Sequence, residues 1–247
     1  MSLKGSAFLA LWNDVDPARD AEYNCWHTFE HVPERVGIPG ILSGRRYIAS
    51  ERAEDRYFTL YDLDGLRAVA SPEYVDVADH PTAWSRSMRP SLRNFQRHPC
   101  TTVFSRGMGV AGSIATCCFM APGISDDSLA TIARSALDSF VESAGITSIH
   151  LGVADSDSRF PIGNARSAPL PEGTVQIVLL VEATARARLD GVASRIGAST
   201  EQHFAPTASI EWKTFDLVYG IERSGLRLPT THRQPERNDL RVAAKWV

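Results

Sequence analysis

The sequence predicts an α+β fold in which two consecutive β-α-β-β-α-β units pack their antiparallel sheets together and close into one barrel within a single chain. Three observations predict it. Short apolar runs of strand length alternate with stretches of helical periodicity. The order strand, helix, two strands, helix, strand occurs twice. A four-stranded sheet with both helices on one face leaves its other face bare, and a second such sheet supplies the cover. A chain of 247 residues is long enough for one large core or two smaller ones.

The first unit, residues 1–110, opens with the apolar run Ala7 to Trp12, which reads as a buried strand. Asp16-Pro17 supplies an N-cap and a first helical position, and Tyr23, Trp26 and Phe29 then recur at helical spacing. Pro33 removes a helical hydrogen bond, so the helix is expected to end near His31-Val32 or to restart as a short turn before Gly37-Ile38-Pro39-Gly40. Residues 42–49 and 56–63 read as two strands joined by the charged stretch 51–55. A helical segment broken at Ser71-Pro72 follows, then a helix over 81–97 with Trp84, Met88, Leu92 and Phe95 on one stripe, and a return strand over 101–110.

The second unit, residues 111–220, repeats the order after Gly109 to Gly112. Strands are predicted at 114–120, 149–154, 175–182 and 210–218, with helices at 125–143 and 185–196. A long Ser, Asp, Pro and Gly-rich loop over 155–173 has no counterpart in the first unit. The tail, residues 221–247, is expected to wrap the surface or meet a partner.

With 43% apolar and 22% charged residues and a net charge of -3, the chain is globular and carries no field suited to capturing nucleic acid. The longest apolar runs, such as Val175 to Val181, fall far short of the roughly 20 residues of a membrane-spanning helix. The start reads as a first strand rather than a signal segment, so the expected location is cytoplasmic. Cys25, Cys100, Cys117 and Cys118 lack a repeated metal-ligand spacing and are expected to be reduced and structural.

The stretch Tyr23-Asn24-Cys25-Trp26-His27-Thr28-Phe29-Glu30-His31-Val32-Pro33-Glu34-Arg35, followed by Ile38-Pro39-Gly40-Ile41 and Gly44-Arg45-Arg46-Tyr47, resembles the dimeric α/β-barrel superfamily, in particular its EthD-like branch. The resemblance implies two tandem ferredoxin-like repeats with antiparallel sheets packed into an intrachain α/β barrel. Members include cofactor-free monooxygenases, isomerases, lyases, haem-binding branches and proteins without assigned activity, with sites between sheet and helices. It points to His27, Glu30, His31, Arg45, Arg46 and Tyr47 as candidate catalytic residues.

His27 and His31 stand four apart on one helix face, beside Glu30 and Glu34. An imidazole near its ordinary pKa can exchange a proton at neutral pH when a carboxylate orients it. Arg45 and Arg46 are consecutive on a strand, so one of them faces each side, with Tyr47 on the side of Arg45. Trp26, Tyr61, His80 and Trp84 are candidate substrate-binding residues. No metal motif is present, and no cofactor is expected, although His80, His150 and His203 are conceivable haem ligands. GxSxG and phosphate-loop motifs are absent.

The expected function is a cofactor-independent isomerase or lyase that moves a proton on an aromatic-derived or lactone-like acid. Three alternatives stand beside it: a metabolite-binding or stress-related protein without turnover, a cofactor-free monooxygenase, and a haem- or metal-dependent enzyme. The expected partner is a small organic molecule, with no nucleic acid and no membrane, and with a homodimer of two-repeat chains as an option.

Overall fold

A computed structural model describes residues 3–49, 55–141, 143, 145–155, 170–227 and 232–243. Eight antiparallel strands close into a barrel in the order β1-β3-β2-β8-β5-β7-β6-β4. They are β1 Ala7–Val15, β2 Ile41–Ile48, β3 Tyr57–Leu63, β4 Leu92–Gly107, β5 Ser113–Pro122, β6 Ile146–Ala154, β7 Thr174–Ala183 and β8 Lys213–Glu222. The first four strands run β4-β1-β3-β2 and the last four run β8-β5-β7-β6. The fold is thus a doubled ferredoxin-like arrangement. β2 pairs with β8 and β4 with β6, so both seams are closed by hydrogen bonds inside one chain and no sheet edge is left open.

Alternation along each strand sorts side chains into two layers. On β1, Phe8, Ala10 and Trp12 join the barrel interior with Tyr47, Phe58, Leu60, Val178, Leu180 and Phe215. Ala7 and Leu9 point the other way, beneath helices. The helices over the first four strands are α1 Asp20–Trp26, a wide turn His27–His31, α2 Val32–Val36, α3 Pro72–Asp79 and α4 Ala83–Met88. Those over the last four are α5 Asp126–Leu137 and α6 Arg186–Phe204. A short α7, Asn238–Ala243, lies in the tail. Among the described residues no helix is long and apolar enough to cross a membrane.

Several boundaries differ from the sequence reading. The helix expected over 81–97 stops at Met88, because Arg89-Pro90 starts a tight turn and Leu92 already pairs with Val15 in β4. α6 runs on to Phe204, and β8 lies at Lys213–Glu222 rather than 210–218. Residues 51–54 of the expected charged turn and 156–169 of the long loop lie outside the described residues. In the tail, one guanidinium nitrogen of Arg223 donates to the carbonyls of Val36, Gly37 and Ile38 at 2.9, 2.7 and 2.7 Å, which satisfies the end of α2.

Candidate functional site

Pro33 shapes the first helix. In a regular α-helix its ring would crowd the Phe29 carbonyl and its missing N–H would leave that carbonyl unpaired. The chain instead widens over His27–His31 into a π-turn, with the Val32 N–H donating to the His27 carbonyl, and Pro33 then starts α2. A single π-turn inside an α-helix is rare and is found disproportionately at functional sites. The wider turn sets residues four apart almost above each other. The rings of His27 and His31 stack at 5.1 Å between centroids, with Tyr23 on the far side of His27 at 5.0 Å and Trp26 against His31 at 4.5 Å.

This stack lies on the outer face of β2 and β3. Gly44 lets the helix sit close, since a Cβ there would meet Val32 Cγ1 at 2.7 Å and Tyr61 at 3.0 Å. Arg46 reaches up from β2, donating to the Asn24 carbonyl at 3.1 Å, to Asn24 Oδ1 at 3.0 Å and to the Thr28 hydroxyl, and lies 5.6 Å over the Tyr23 ring. Tyr61 comes from β3 with its hydroxyl buried, and Arg35 from α2, stacked 5.4 Å over Tyr74. Glu30 is held by the Thr82 hydroxyl at 2.6 Å and by the Arg237 backbone N–H at 2.8 Å. The tail therefore closes over this helix.

Five atoms in this layer are buried without a hydrogen-bond partner: His27 Nδ1, His31 Nδ1, Glu34 Oε2, Arg35 Nη1 and the Tyr61 hydroxyl. Native interiors leave few such groups, because each costs about 1–3 kcal/mol. Burial and the charge of Arg46 hold the His27 imidazole well below its ordinary pKa. Burial and Arg35 do the same to His31, although part of the His31 surface remains open to solvent. Burial pushes Glu34 up against the opposing pull of Arg35. It also pushes Tyr23 up to about 12 and Tyr61 further still.

Of the residues singled out in the sequence, Trp26, His27, Glu30, His31, Arg46 and Tyr61 meet in this layer. Trp84 is buried beside them, donating to Glu22 Oε1 at 3.0 Å. Arg45 and Tyr47 are placed apart, inside the barrel, because alternation sends them through the sheet. There Arg45 pairs with Asp62 at 3.2 Å and Glu182 at 2.9 Å, and donates to the Tyr47 hydroxyl at 3.3 Å. Burial raises the Glu182 carboxyl, but His150 and Arg45 outweigh it and leave it lowered. His80 is also apart, exposed and bound to Asp76 at 3.0 Å. Sequence reasoning missed Tyr23, Arg35 and Tyr219. Tyr23 sits four residues before His27, a signal that was available. Tyr219 had none: a register shift in the β2–β8 pairing sets it opposite Arg46.

Haem does not fit beneath α5 and α6 among the described residues. Beneath α5 and α6 the space is filled by apolar side chains, from Phe119 and Leu151 to Val192 and Phe204. His150 is inside the barrel, with Nδ1 at 2.8 Å from Ser105 Oγ and Nε2 at 3.7 Å from Glu182 Oε1. No cluster of three His, Cys, Asp or Glu able to hold a metal occurs among the described residues.

No family model matches the sequence, and no curated protein matches it. Solved structures do match over most of their length. One is an anthrone oxidase-like protein, 9% identical, with 94% of this chain and 99% of that chain covered and a TM-score of 0.60. A putative monooxygenase from Lactobacillus acidophilus NCFM is 10% identical, with 89% and 97% covered and a TM-score of 0.53. A haem-binding protein from Thermus thermophilus is 9% identical, with 89% and 93% covered and a TM-score of 0.52. These likenesses establish the ferredoxin-like α+β barrel fold. The expectation of a proton-transfer isomerase or lyase is corrected here. Burial and the neighbouring guanidiniums hold its candidate bases, His27 and His31, below their ordinary pKa, which works against proton abstraction. The neighbours carry oxidase, monooxygenase and haem-binding names instead.

Proposed function

We propose that this chain is an oxygen-using oxidase or monooxygenase of small, electron-rich, hydroxylated aromatic molecules, acting in the layer between the first helix and β2–β3. The observation that carries the reading is the Tyr23–His27–His31–Trp26 stack with two inward imidazole nitrogens unpartnered. Unpartnered nitrogens suit ring hydroxyls, and neutral imidazoles accept or donate a hydrogen bond without demanding a charge. The EthD-like stretch is the part of the chain assigned to this role, and the names of the structural neighbours favour the same class.

The chemistry asks little of the protein beyond binding and electrostatics. A methylene flanked by hydroxylated rings gives up a proton to water, and the resulting delocalised anion passes electrons to dioxygen. One oxygen atom enters as a ketone and the other leaves as water, so CH2 plus O2 gives C=O plus H2O. Arg46, fixed by Asn24 and Thr28, stabilises the anion, while His27 and His31 orient the ring hydroxyls.

The test is dioxygen uptake by the purified chain with a panel of hydroxylated anthrones and naphthols. Uptake equal to substrate consumed, lowered about 10²-fold or more by Arg46→Gln, is the expected result. Binding of these rings with no uptake above the uncatalysed rate would sink the reading.

A further inference from the structure

Two guanidiniums enter the candidate site without a carboxylate. Arg46 and Arg35 are 2% and 4% exposed, and among the described residues neither has an acidic oxygen within 4.0 Å. The bonds of Arg46 go to a backbone carbonyl, an amide oxygen and a hydroxyl, all of them neutral. Arg35 rests on the Tyr74 ring and leaves Nη1 unpaired. Burying an ion is costly unless a counter-charge and hydrogen bonds offset it, so buried arginines are ordinarily paired. Arg45, the next residue along β2, follows that rule with two carboxylates. Arg35 and Arg46 depart from it in the one layer that also holds the unpartnered imidazole nitrogens and the free Tyr61 hydroxyl.

Among the described residues the nearby acids form an ion pair with neither guanidinium. Glu30 accepts from the Thr82 hydroxyl and from the tail backbone. Glu34 faces Arg35, Arg89 and Arg233 electrostatically while burial raises its pKa, and its Oε2 has no partner. The charges acting on His31 come from Arg35, Arg89 and Arg46, all positive. The charges acting on His27 are likewise those of Arg46, Arg35 and His31, so both imidazoles sit in a positive field, and burial keeps Tyr61 and Tyr23 protonated.

We propose that this site takes its aromatic ligand as a phenolate, with Arg35 and Arg46 as the counter-charge and the unpartnered His27 and His31 nitrogens and Tyr61 hydroxyl as its hydrogen-bonding partners. This deepens the oxidation reading and rests on the same site, and it adds the ionisation state of what binds. The protein lowers the energy of the anion by its field, so no strong base is needed among the neutral imidazoles.

The experiment uses 4-nitrophenol, whose phenolate absorbs in the visible and whose free form is half ionised near neutral pH, with 4-nitroanisole and 4-nitrobenzoate as companions. Titrating the whole protein into 4-nitrophenol is expected to lower its apparent ionisation midpoint by about one pH unit, a tenfold change in the ratio of the two forms. The methyl ether, which cannot ionise, is expected to bind about tenfold more weakly. Arg46→Gln and Arg35→Gln should each remove part of the midpoint shift, and Arg→Lys at either position should restore part of it. The wild-type comparison of probes stands without any variant, should one fail to fold. An unchanged or raised midpoint, equal binding of the ether, tighter binding of the benzoate, or no binding of 4-nitrophenol would each overturn the proposal. Phenolate binding without dioxygen uptake would leave this inference intact and remove the oxidation reading. Uptake with the ring bound as a neutral phenol would do the reverse.

Discussion

Beneath α5 and α6, the outer face of β5, β6 and β7 carries Cys117, Phe119, Ile149, Leu151, Leu179 and Val181, which pack on Leu129, Ala133, Val192 and Ile196. The topologically equivalent face beneath α1 and α2 carries Arg46 and Tyr61, and the helix above it brings His27, Glu30, His31, Glu34 and Arg35. One backbone plan thus holds an all-apolar core on one side and, on the other, an apolar cluster interrupted by a buried polar layer. A polar layer with five unpartnered atoms does not add stability, whereas an apolar layer of the same size does. The second half carries the fold and frees the first half to keep groups that only a ligand can satisfy.

The sharpest way to test this division is to separate polar groups that belong to the fold from those that belong to the site. Arg45 is of the first kind. It ties β2 to Asp62 on β3 and to Glu182 on β7, across the barrel interior. Arg45→Ala removes the guanidinium that both buried carboxylates share, and the expected loss is about 3–5 kcal/mol, read from urea unfolding. An unfolding curve like that of the wild type would show that the interior ions are not holding the halves together.

Leu179→Ala probes the apolar layer. The side chain is fully buried, and its removal is expected to cost about 2–5 kcal/mol through lost transfer energy and a residual cavity. Binding of 4-nitrophenol, measured well below the unfolding midpoint, should not move. A change in affinity comparable to that of an Arg46 variant would join the two layers and break the comparison.

The polar layer has a pH signature of its own. His27 and His31 have pKa values well below the ordinary 6.5, because burial and the neighbouring guanidiniums oppose their charging. Below that value the unfolded chain binds protons that the folded chain refuses, so stability is full above about pH 6.5 and falls as pH drops below it. The slope approaches about 1.4 kcal/mol per pH unit for each imidazole. Melting temperatures between pH 7.5 and 5.5 read it, and His27→Gln should remove about half of the decline. A flat profile would mean that the two rings charge freely in the folded state.

The fold was legible because strand-length apolar runs and helical stripes report local periodicity directly, as at Ala7 to Trp12 and along α5. The site was legible only in part. His27, His31 and Glu30 share a helix, and i,i+4 spacing brings them together whatever the tertiary context. Arg45 and Arg46 were legible as a pair with opposite faces, but which face meets the helix depends on register, which hydrogen bonding to β3 and β8 sets. The π-turn was half visible in Pro33. Tyr219 was invisible, since its orientation follows from an irregular pairing between strands far apart in sequence. The long β4 hid behind helical spacing of Trp84, Met88 and Leu92, a pattern that Arg89-Pro90 interrupts.

Arg46→Met gives the smallest expected change in stability and is the most telling for that reason. Arg46 neighbours Arg45 on the same strand and is as thoroughly buried, but its guanidinium has no anionic partner among the described residues, and burial pulls its pKa down. Replacing an unpaired buried ion by an apolar side chain of similar length removes a desolvation cost and three hydrogen bonds to neutral acceptors. The two nearly cancel, leaving stability within about 1 kcal/mol of the wild type or above it. Phenolate binding should fall at the same time. Two consecutive arginines would then respond in opposite ways, the inward one needed for folding and the outward one dispensable to it. Urea unfolding of Arg45→Ala and Arg46→Met side by side makes the measurement, and a loss of several kcal/mol in the second would move Arg46 from the site into the scaffold.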